Sequence, residues 1–303
     1  MSDKAVAPPA VKFAKIVKQC RIDKPRHFKL ADHDPTERFG LSAEIEDVKS
    51  ILAEGVAKIE ELQQRLYADG RWGVLIVLQG MDAAGKDGVI KHVMSGVNPQ
   101  GCEVHAFKAP GAEELAHDFL WRIAKNVPAR GRIGIFNRSH YEDVLVVRVH
   151  PELLEKQNLP AGAVDKTIWK NRFEEIRAFE QHLARNGIAV LKFHLRISKD
   201  EQRKRFLARL DEPAKRWKFS ESDAVERKRW DDYMAAYQDM IRETSTDDAP
   251  WYVVPADHKH VAWLVVSAAI IKTLEGLKLE YPKVTGKALK ALKTAERALK
   301  AEK

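Results

Sequence analysis

Gly80, Gly85 and Lys86 carry the clearest chemical signal, because they have the GxxxxGK spacing of a phosphate-binding loop. Residues 74–78 are a short apolar run rich in β-branched residues, typical of a strand buried on both faces of a parallel sheet. Glycines let backbone amides surround phosphate oxygens, and the lysine neutralises their charge. The alternative is a glycine-rich turn with a solvated lysine. The predicted phosphate-binding residues of this loop are Gly80, Ala83, Ala84, Gly85, Lys86, Asp87 and Gly88.

Two aspartates distinguish this loop from ordinary phosphate-binding loops. Asp87 stands where a Ser or Thr normally ligates magnesium, and Asp82 places a second carboxylate inside the loop. Two acids beside a phosphate would repel it unless a divalent cation lay between them. The sequence therefore predicts Mg²⁺ here, held differently from the magnesium of an ordinary ATPase, and Mn²⁺ is the expected substitute.

A second polar segment, FNRSHYEDVLVVRV at 136–149, follows another apolar run. Arg138 is a candidate for stabilising charge on a transferring phosphoryl group, and Asp143 is a candidate for anchoring the magnesium shell. The alternative is that Arg138 and Glu142 form only an ion pair across a first helical turn. We interpret His140 as a packed or hydrogen-bonded histidine, because no other feature indicates covalent catalysis.

A third segment, 201–220, is rich in basic residues. Arg205 and Arg209 lie four residues apart on one face of a predicted helix, which a proline then interrupts. The phosphate-binding candidates beyond this break are Lys215 and Lys218. The pattern is typical of a mobile lid, here about residues 205–222, that closes over a substrate rich in phosphates and excludes water. The alternative is a solvated basic helix end.

Helices and strands alternate along most of the chain. Predicted strands lie at 74–78, 103–107, 133–136, 188–195 and 251–255. Predicted helices lie near 45–69, 112–125, 166–186, 223–243 and 260–280, and a further one begins at 199. Such alternation predicts an α/β fold of three layers, with a parallel sheet flanked by helices. The loops after the first three strands should meet at the carboxyl edge of that sheet and form one site.

Because the sequence has no internal repeat and no low-complexity segment outside its tail, we expect one catalytic domain, 41–281. It lies between an extended N-terminal arm, 1–40, and a basic C-terminal tail, 282–303. The chain of 303 residues has a net charge of +8. The tail holds seven basic and two acidic residues, 7 − 2 = +5, so the rest carries about +3. No nucleic-acid partner is expected of a body with so little excess charge. The tail itself is typical of a frayed solvated helix, although support for a polyanion is an alternative.

Two absences bear on the compartment. The sequence has no window approaching eighteen uninterrupted apolar residues, and its start lacks the apolar core of a signal peptide. Its two cysteines, Cys20 and Cys102, are too few for a disulfide framework and lack metal-site spacing. We expect a soluble, cytoplasmic protein with no membrane partner.

The three segments together resemble the type-two polyphosphate kinase family. The resemblance runs from about 34 to 282, through GMDAAGKDG, FKAP, FNRSHYEDVLVVRV, SKDEQRKRF, DEPAKRWKF and ETSTDDAPWYVVPADHK. It implies a P-loop kinase fold related to thymidylate kinase, with a helical lid. It also implies reversible, magnesium-assisted in-line transfer of a terminal phosphoryl group between inorganic polyphosphate and a nucleotide, without a covalent enzyme intermediate.

The resemblance assigns roles to individual residues. Asp82 and Asp143 would organise magnesium and activate the accepting phosphate, and Lys86 would bind the phosphates in flight. The arginines that would neutralise developing charge and close the lid are Arg138, Arg205 and Arg209.

The segment NRSHYED also bears on which nucleotide accepts the phosphoryl group. Asn137 stands where many family members that phosphorylate ADP have aspartate, and NRSHYED resembles the class that accepts both AMP and ADP. We therefore expect ADP, AMP and ATP as nucleotide partners, with Asn137 and Glu142 at the nucleotide. The alternative is a nucleoside monophosphate kinase that uses ATP as donor. A homo-oligomer is expected, as for many soluble enzymes.

Overall fold

The computed structural model describes residues 9–41, 45–160 and 162–302. Its strands are β1 (Gly73–Gln79), β2 (Cys102–Ala106), β3 (Ile133–Asn137), β4 (Ile188–Arg196) and β5 (Trp251–Pro255). They form a parallel sheet in the order β2-β3-β1-β4-β5. The α/β fold with a parallel sheet flanked by helices, predicted from alternation, is confirmed.

Helices cover the sheet. The α-helices of the described residues are α1 (Pro9–Cys20), α2 (Ile45–Asp69), α3 (Lys86–Val93), α4 (Ala112–Leu115), α5 (Trp121–Ala124), α6 (Val146–Val149), α7 (Ile168–Arg185), α8 (Lys199–Asp211), α9 (Glu221–Glu226), α10 (Trp230–Thr244), α11 (Lys259–Gly276) and α12 (Gly286–Ala301). Helices α1, α2 and α3 pack on α11, which lies against β4 and β5, while α7 packs on β4 and on α10.

The central strand β1 positions the phosphate loop. All seven of its residues are buried, as expected of a continuous apolar run with neighbours on both sides. Its residue Leu78 pairs with Asn137 of β3 and with Phe193 of β4. Strand order reverses at β1, since β3 and then β2 lie on one side and β4 and β5 on the other. Ligands of such sheets bind in the crevice at this reversal, outside the carboxyl ends of the strands.

The N-terminal segment differs from the extended arm predicted from its mixed composition. Helix α1 packs on α11 and β5, and Ile16, Val17 and Cys20 are buried in the main core. Further along, the carbonyl of Phe28 accepts from Arg242 Nε at 2.7 Å. The segment is therefore largely integrated into the core, because its few apolar residues fall together on one helical face.

Two predicted helices are interrupted. The one expected near 112–125 is two single turns, α4 and α5, and Asp118 Oδ1 between them accepts from the amide of Leu120 at 2.9 Å. The one expected at 223–243 is divided into α9 and α10 by the 3₁₀ turn Arg227–Arg229. Local side-chain hydrogen bonds of this kind compete with helix continuation.

The C-terminal tail forms α12, an exposed helix, in keeping with the solvated helix predicted for it. No helix in the described part of the chain is both long and apolar enough to cross a membrane.

Candidate active site

The phosphate loop joins β1 to α3 and depends on its glycines. At Gly80 an added Cβ would lie 2.8 Å from the carbonyl oxygen of Leu195, so the loop passes too close to β4 for a side chain. At Gly85, which precedes α3, φ is 109°, a conformation that favours glycine. Ala83 has φ of 64° without that freedom. Strained backbone is common where a site holds its ligand.

Lys86 points back into this loop. Its Nζ donates to the carbonyls of Gly80 at 2.6 Å and Met81 at 3.3 Å, and the residue is 8% exposed. Burial lowers the pKa of Lys86, and the carboxylate of Asp82 opposes that shift. The loop thus encloses an ammonium group in the position predicted for binding phosphate.

Arg138 and two carboxylates face this ammonium. Arg138 Nη2 donates to Asp82 Oδ1 at 2.7 Å, and its Nη1 lies 3.9 Å from Glu142 Oε2. Its φ of 63° is unusual for a residue with a side chain. Burial raises the pKa of Glu142, against the opposing effects of Arg138 and Lys86. Arg138 thus forms the ion pair with Glu142 that one sequence interpretation expected, and it also reaches Asp82 in the phosphate loop. Its role in stabilising a transferring phosphoryl group stays a prediction.

Asp143 lies in different surroundings. It accepts from Gln157 Nε2 at 2.8 Å and lies 3.4 Å from Arg172 Nη1. Burial raises the pKa of Asp143, and Arg172 is the main opposing influence. The structure therefore groups Glu142, and not Asp143, with Asp82 around Lys86. Consecutive residues of the 3₁₀ segment His140–Val144 point in different directions, so the sequence could not show which acid faces the loop.

Asp143 lines a small recess beyond β2 and β3. The other lining residues are Pro110, Glu114, Leu115, His117, Phe119, Arg122 and Gln157. Arg122 Nη1 donates to the carbonyl of Lys108 at 2.9 Å, which fixes the guanidinium at the end of β2. The sequence predicted that the loop after β2 contributes to the site, but it did not single out Arg122, Gln157 or Arg172, which lie outside the polar motifs.

Asp82 and Glu142 fit the coordination habits of magnesium. Mg²⁺ prefers oxygen ligands and is commonly held by one or two carboxylates together with substrate phosphates. Within the described ranges, no group of three or more His, Cys, Asp or Glu side chains is arranged to hold a metal ion. The pair therefore fits a magnesium ion that a phosphate substrate helps to bind.

Asn137 and Asp87 meet across the mouth of the loop. The amide of Asn137, at the end of β3, donates to Asp87 Oδ1 at 2.8 Å. Asp87, which stands where other phosphate-binding loops have Ser or Thr, is thus hydrogen-bonded to Asn137. Gly88 follows it in the first turn of α3.

The predicted lid residues are divided between two environments. The guanidinium of Arg205 is bound by backbone carbonyls of the phosphate loop, and its side chain is 10% exposed. Arg209 lies over the ring of Phe206, 5.6 Å from its centroid, and Lys215 pairs with Glu212 on the surface. The side chain of Lys218 lies outside the described residues. The expected break is confirmed: α8 ends at Asp211, before the 3₁₀ segment Pro213–Lys218.

A buried ion pair supports the segment that carries Glu142 and Asp143. Lys192 Nζ of β4 donates to Glu180 Oε2 at 2.5 Å and to the hydroxyl of Tyr141 at 2.9 Å, and both charged side chains are almost fully buried. His140 also packs against Tyr141, in keeping with the packed histidine predicted. A lysine within the apolar run of β4 was the available signal for this network.

These contacts define a class of protein. Because the buried ammonium of Lys86 lies within a glycine loop at the strand-order reversal, and charged side chains surround it, the chain has the site of a P-loop kinase. Comparison with known proteins makes the identification specific. Residues 42–282 match the family model described as polyphosphate kinase 2, so the chain belongs to the polyphosphate kinase 2 family.

Named relatives agree with this family. The chain is 56% identical over 241 residues to the ADP-polyphosphate phosphotransferase of Rhodopseudomonas palustris. The aligned region covers 79% of this chain and 83% of that relative. It is 47% identical over 266 residues to the AMP/ADP-polyphosphate phosphotransferase of Meiothermus ruber, and this alignment covers 88% of this chain and 96% of that relative. The crystal structure of polyphosphate kinase 2 from Arthrobacter aurescens superimposes with a TM-score of 0.84 at 43% identity, covering 96% of this chain and 97% of that one.

Proposed function

We propose that this chain transfers the terminal phosphoryl group of inorganic polyphosphate to ADP and to AMP, forming ATP and ADP. Polyphosphate-driven phosphorylation of nucleotides is the activity that the family and the names of the relatives support, and the ATP-dependent monophosphate kinase alternative is not favoured. The observation that carries the proposal is the grouping of Lys86 with Asp82, Arg138 and Glu142 at the phosphate loop.

The charge of that group explains a need for magnesium. Lys86 and Arg138 contribute two positive charges and Asp82 and Glu142 two negative ones, 2 − 2 = 0, so the group is formally neutral. A polyphosphate chain and a nucleotide bring many negative charges to it. Mg²⁺ held by Asp82 and Glu142 would neutralise phosphate oxygens as charge develops.

The protein's own groups position the reactants. Loop amides and Lys86 bind the donor phosphates, and Arg138 lies where it can reach the transferring group. We place the accepting phosphate beside Asp143 and Arg122, at the mouth of the recess beyond β2 and β3. His140 is buried and packed, and it is not offered to a substrate as a nucleophile. Positioning and charge neutralisation account for most catalysis of phosphoryl transfer, so direct transfer fits.

The pairing of Asn137 with Asp87 supports the acceptance of both AMP and ADP. An aspartate at 137 would place two carboxylates in hydrogen-bonding range and would require a cation between them, whereas the amide of Asn137 donates directly to Asp87. The loop mouth therefore keeps one net negative charge instead of two. Of the two relatives described above, one is named for ADP and the other for both AMP and ADP.

The test is nucleotide formation from long-chain polyphosphate and Mg²⁺, with AMP and with ADP as separate acceptors. We expect ADP from the first reaction and ATP from the second. Product from one acceptor alone would fix a narrower class. Activity with ATP plus AMP, but none with polyphosphate, would contradict the proposal. Cytoplasmic location, assembly into a homo-oligomer, Mn²⁺ substitution and the absence of a nucleic-acid partner remain predictions of the sequence.

A further inference from the structure

Arg205 connects three parts of the molecule through one guanidinium. Its Nε donates to Glu201 Oε1, one turn earlier on α8, at 2.9 Å. Its Nη1 donates to the carbonyls of Ala83 and Ala84 in the phosphate loop, at 2.9 and 3.2 Å. Its Nη2 donates to two carbonyls just beyond β5, those of Ala256 at 2.6 Å and Asp257 at 2.9 Å. A guanidinium carries five N–H donors, and these five acceptors account for all of them.

The contacts set the direction of the loop amides. The carbonyl and N–H of a trans peptide unit point in opposite directions. Because the carbonyl of Ala84 faces Arg205, the amide of Gly85 in the same unit faces away from it. The amide of Ala84, in the preceding unit, donates to the carbonyl of Met81 at 3.0 Å and closes the turn. Arg205 therefore holds the loop backbone in an orientation that leaves the Gly85 amide directed away from α8.

A second side chain of α8 supports the same loop. Gln202, which is 1% exposed, donates through Nε2 to the carbonyl of Asp82 at 3.0 Å. Arg227 in turn donates to Gln202 Oε1 at 2.9 Å and orients it. Three successive carbonyls of the loop, at 82, 83 and 84, thus accept from the first turns of α8.

We propose that Arg205 is a positioning residue, which orients the phosphate loop by binding its carbonyls and does not itself contact the transferring phosphoryl group. The role rests on the proposed function only in taking the bound phosphates to belong to polyphosphate. It differs from the lid role that the sequence assigned to Arg205 together with Arg209. Four backbone carbonyls and the carboxylate of Glu201 occupy all five donors of the guanidinium.

Arg205→Lys and Arg205→Gln separate this role from that of a charge. Lysine keeps the positive charge, but its single ammonium cannot reach both pairs of carbonyls as the planar guanidinium does. If Arg205 orients the loop, both variants lose about 100-fold in kcat/KM, since small misplacements cost that much. Retention by Arg205→Lys of a rate within about threefold of wild type would overturn the proposal.

Two readouts that need no turnover complete the test. The first is calorimetric binding of inorganic triphosphate with Mg²⁺, which should weaken to a similar degree in both variants. The second is amide hydrogen exchange, which should become faster in residues 80–88 and stay unchanged in β4 and α11. The control is Arg203→Gln, at an exposed arginine of α8 whose side chain makes no hydrogen bond or ion pair among the described residues.

The outcomes are separable. Weak triphosphate binding in Arg205→Gln, restored in Arg205→Lys with unchanged loop exchange, would mean that Arg205 acts through its charge, and the proposal would be wrong. A uniform rise in exchange throughout the protein would indicate general destabilisation and would also contradict it. If the wild-type protein failed to phosphorylate nucleotides from polyphosphate, the proposed function would fall, while triphosphate binding and loop exchange would still decide the role of Arg205.

Discussion

Glu142 and Asp143 are neighbours in the chain with different surroundings, and variants of each should affect different parameters. Glu142 faces Lys86 and Arg138, so Glu142→Gln removes a carboxylate from the proposed magnesium site. We expect the Mg²⁺ concentration for half-maximal rate to rise by at least about 10- to 100-fold, the usual loss when only a hydrogen-bonding partner of a metal ligand is removed. Asp143→Asn, in the recess, should lower turnover with the Mg²⁺ requirement unchanged.

Initial rates measured against Mg²⁺ concentration for both variants check this prediction. Asp87→Asn serves as a comparison, because it also removes a carboxylate near the loop, but one already bound by Asn137. A large shift in the Mg²⁺ requirement of Asp143→Asn, with none in Glu142→Gln, would restore the pair expected from the sequence, Asp82 with Asp143.

His194 is a buried histidine whose protonation should limit stability at low pH. It is 1% exposed, its ring nitrogens find no hydrogen-bond partner among the described residues, and its ring lies 4.3 Å from that of Tyr237. Burial lowers the pKa of His194 from 6.5 to about 3. Below pH 6.5 the unfolded chain therefore binds a proton that the folded protein does not. Stability is lost progressively as the pH falls from 6.5 towards 3.

His194→Leu removes this proton-binding group, so the stability of the variant should depend less on pH. When the pH is lowered from 7 to 5, wild type should lose about 2 kcal/mol of unfolding free energy more than the variant does. Denaturant unfolding at several pH values measures it. His27→Leu, at an exposed histidine, is the control and should run parallel to wild type. Parallel curves for His194→Leu as well would show that His194 is protonated equally in the folded and unfolded states.

At the scale of elements, local patterns fixed much of the fold. Strand β5 was predicted with the bounds observed, 251–255, because a short apolar run ends there at a proline. The phosphate loop could be predicted from the sequence because its chemistry depends on glycine spacing within nine residues. The contacts of Arg205 with the loop could not be predicted, because Arg205 and Ala83 lie 122 positions apart in the chain. No local pattern shows which backbone oxygens a guanidinium will reach.

Helix α1 shows a second limit of local patterns. Its twelve residues are too few to be stable alone in water, so it forms because it packs on α11 and β5. Ile16 is 2% exposed. We predict that Ile16→Ala lowers the free energy of unfolding by about 2–5 kcal/mol, the usual cost of truncating a buried isoleucine. Lys18→Ala, exposed on the same helix, should change it by less than about 0.5 kcal/mol.

Denaturant unfolding of both α1 variants provides the measurement. If Ile16→Ala were as stable as Lys18→Ala, α1 would not be docked in solution. The N-terminal segment would then be the extended arm that its composition suggested.

At the scale of the whole molecule, the two ends of the chain differ in kind although both lie outside the sheet. The N-terminal segment contributes buried residues to the main core. Described residues 280–302 are all exposed, and the hydrogen bonds found for α12 are internal, such as Lys300 to Glu296 at 2.6 Å. The tail holds +5 of the net charge of +8, so most of the excess charge lies outside the packed body.

Deletion of residues 283–303 should therefore leave both stability and catalysis intact. The tail buries no side chain among the described residues, so the melting temperature should change by less than about 2 °C, as for changes remote from any packed feature. The kcat with ADP and a short polyphosphate should match that of the full chain. Thermal unfolding and initial rates, measured on both proteins at the same ionic strength, provide the check.

Deletion of residues 1–40, which removes buried parts of the core, should by contrast abolish cooperative unfolding. A tail deletion that lost turnover with short polyphosphate would show that α12 contributes to the site, and its five basic residues, spaced three or four apart on one helical face, would then be the groups to substitute next.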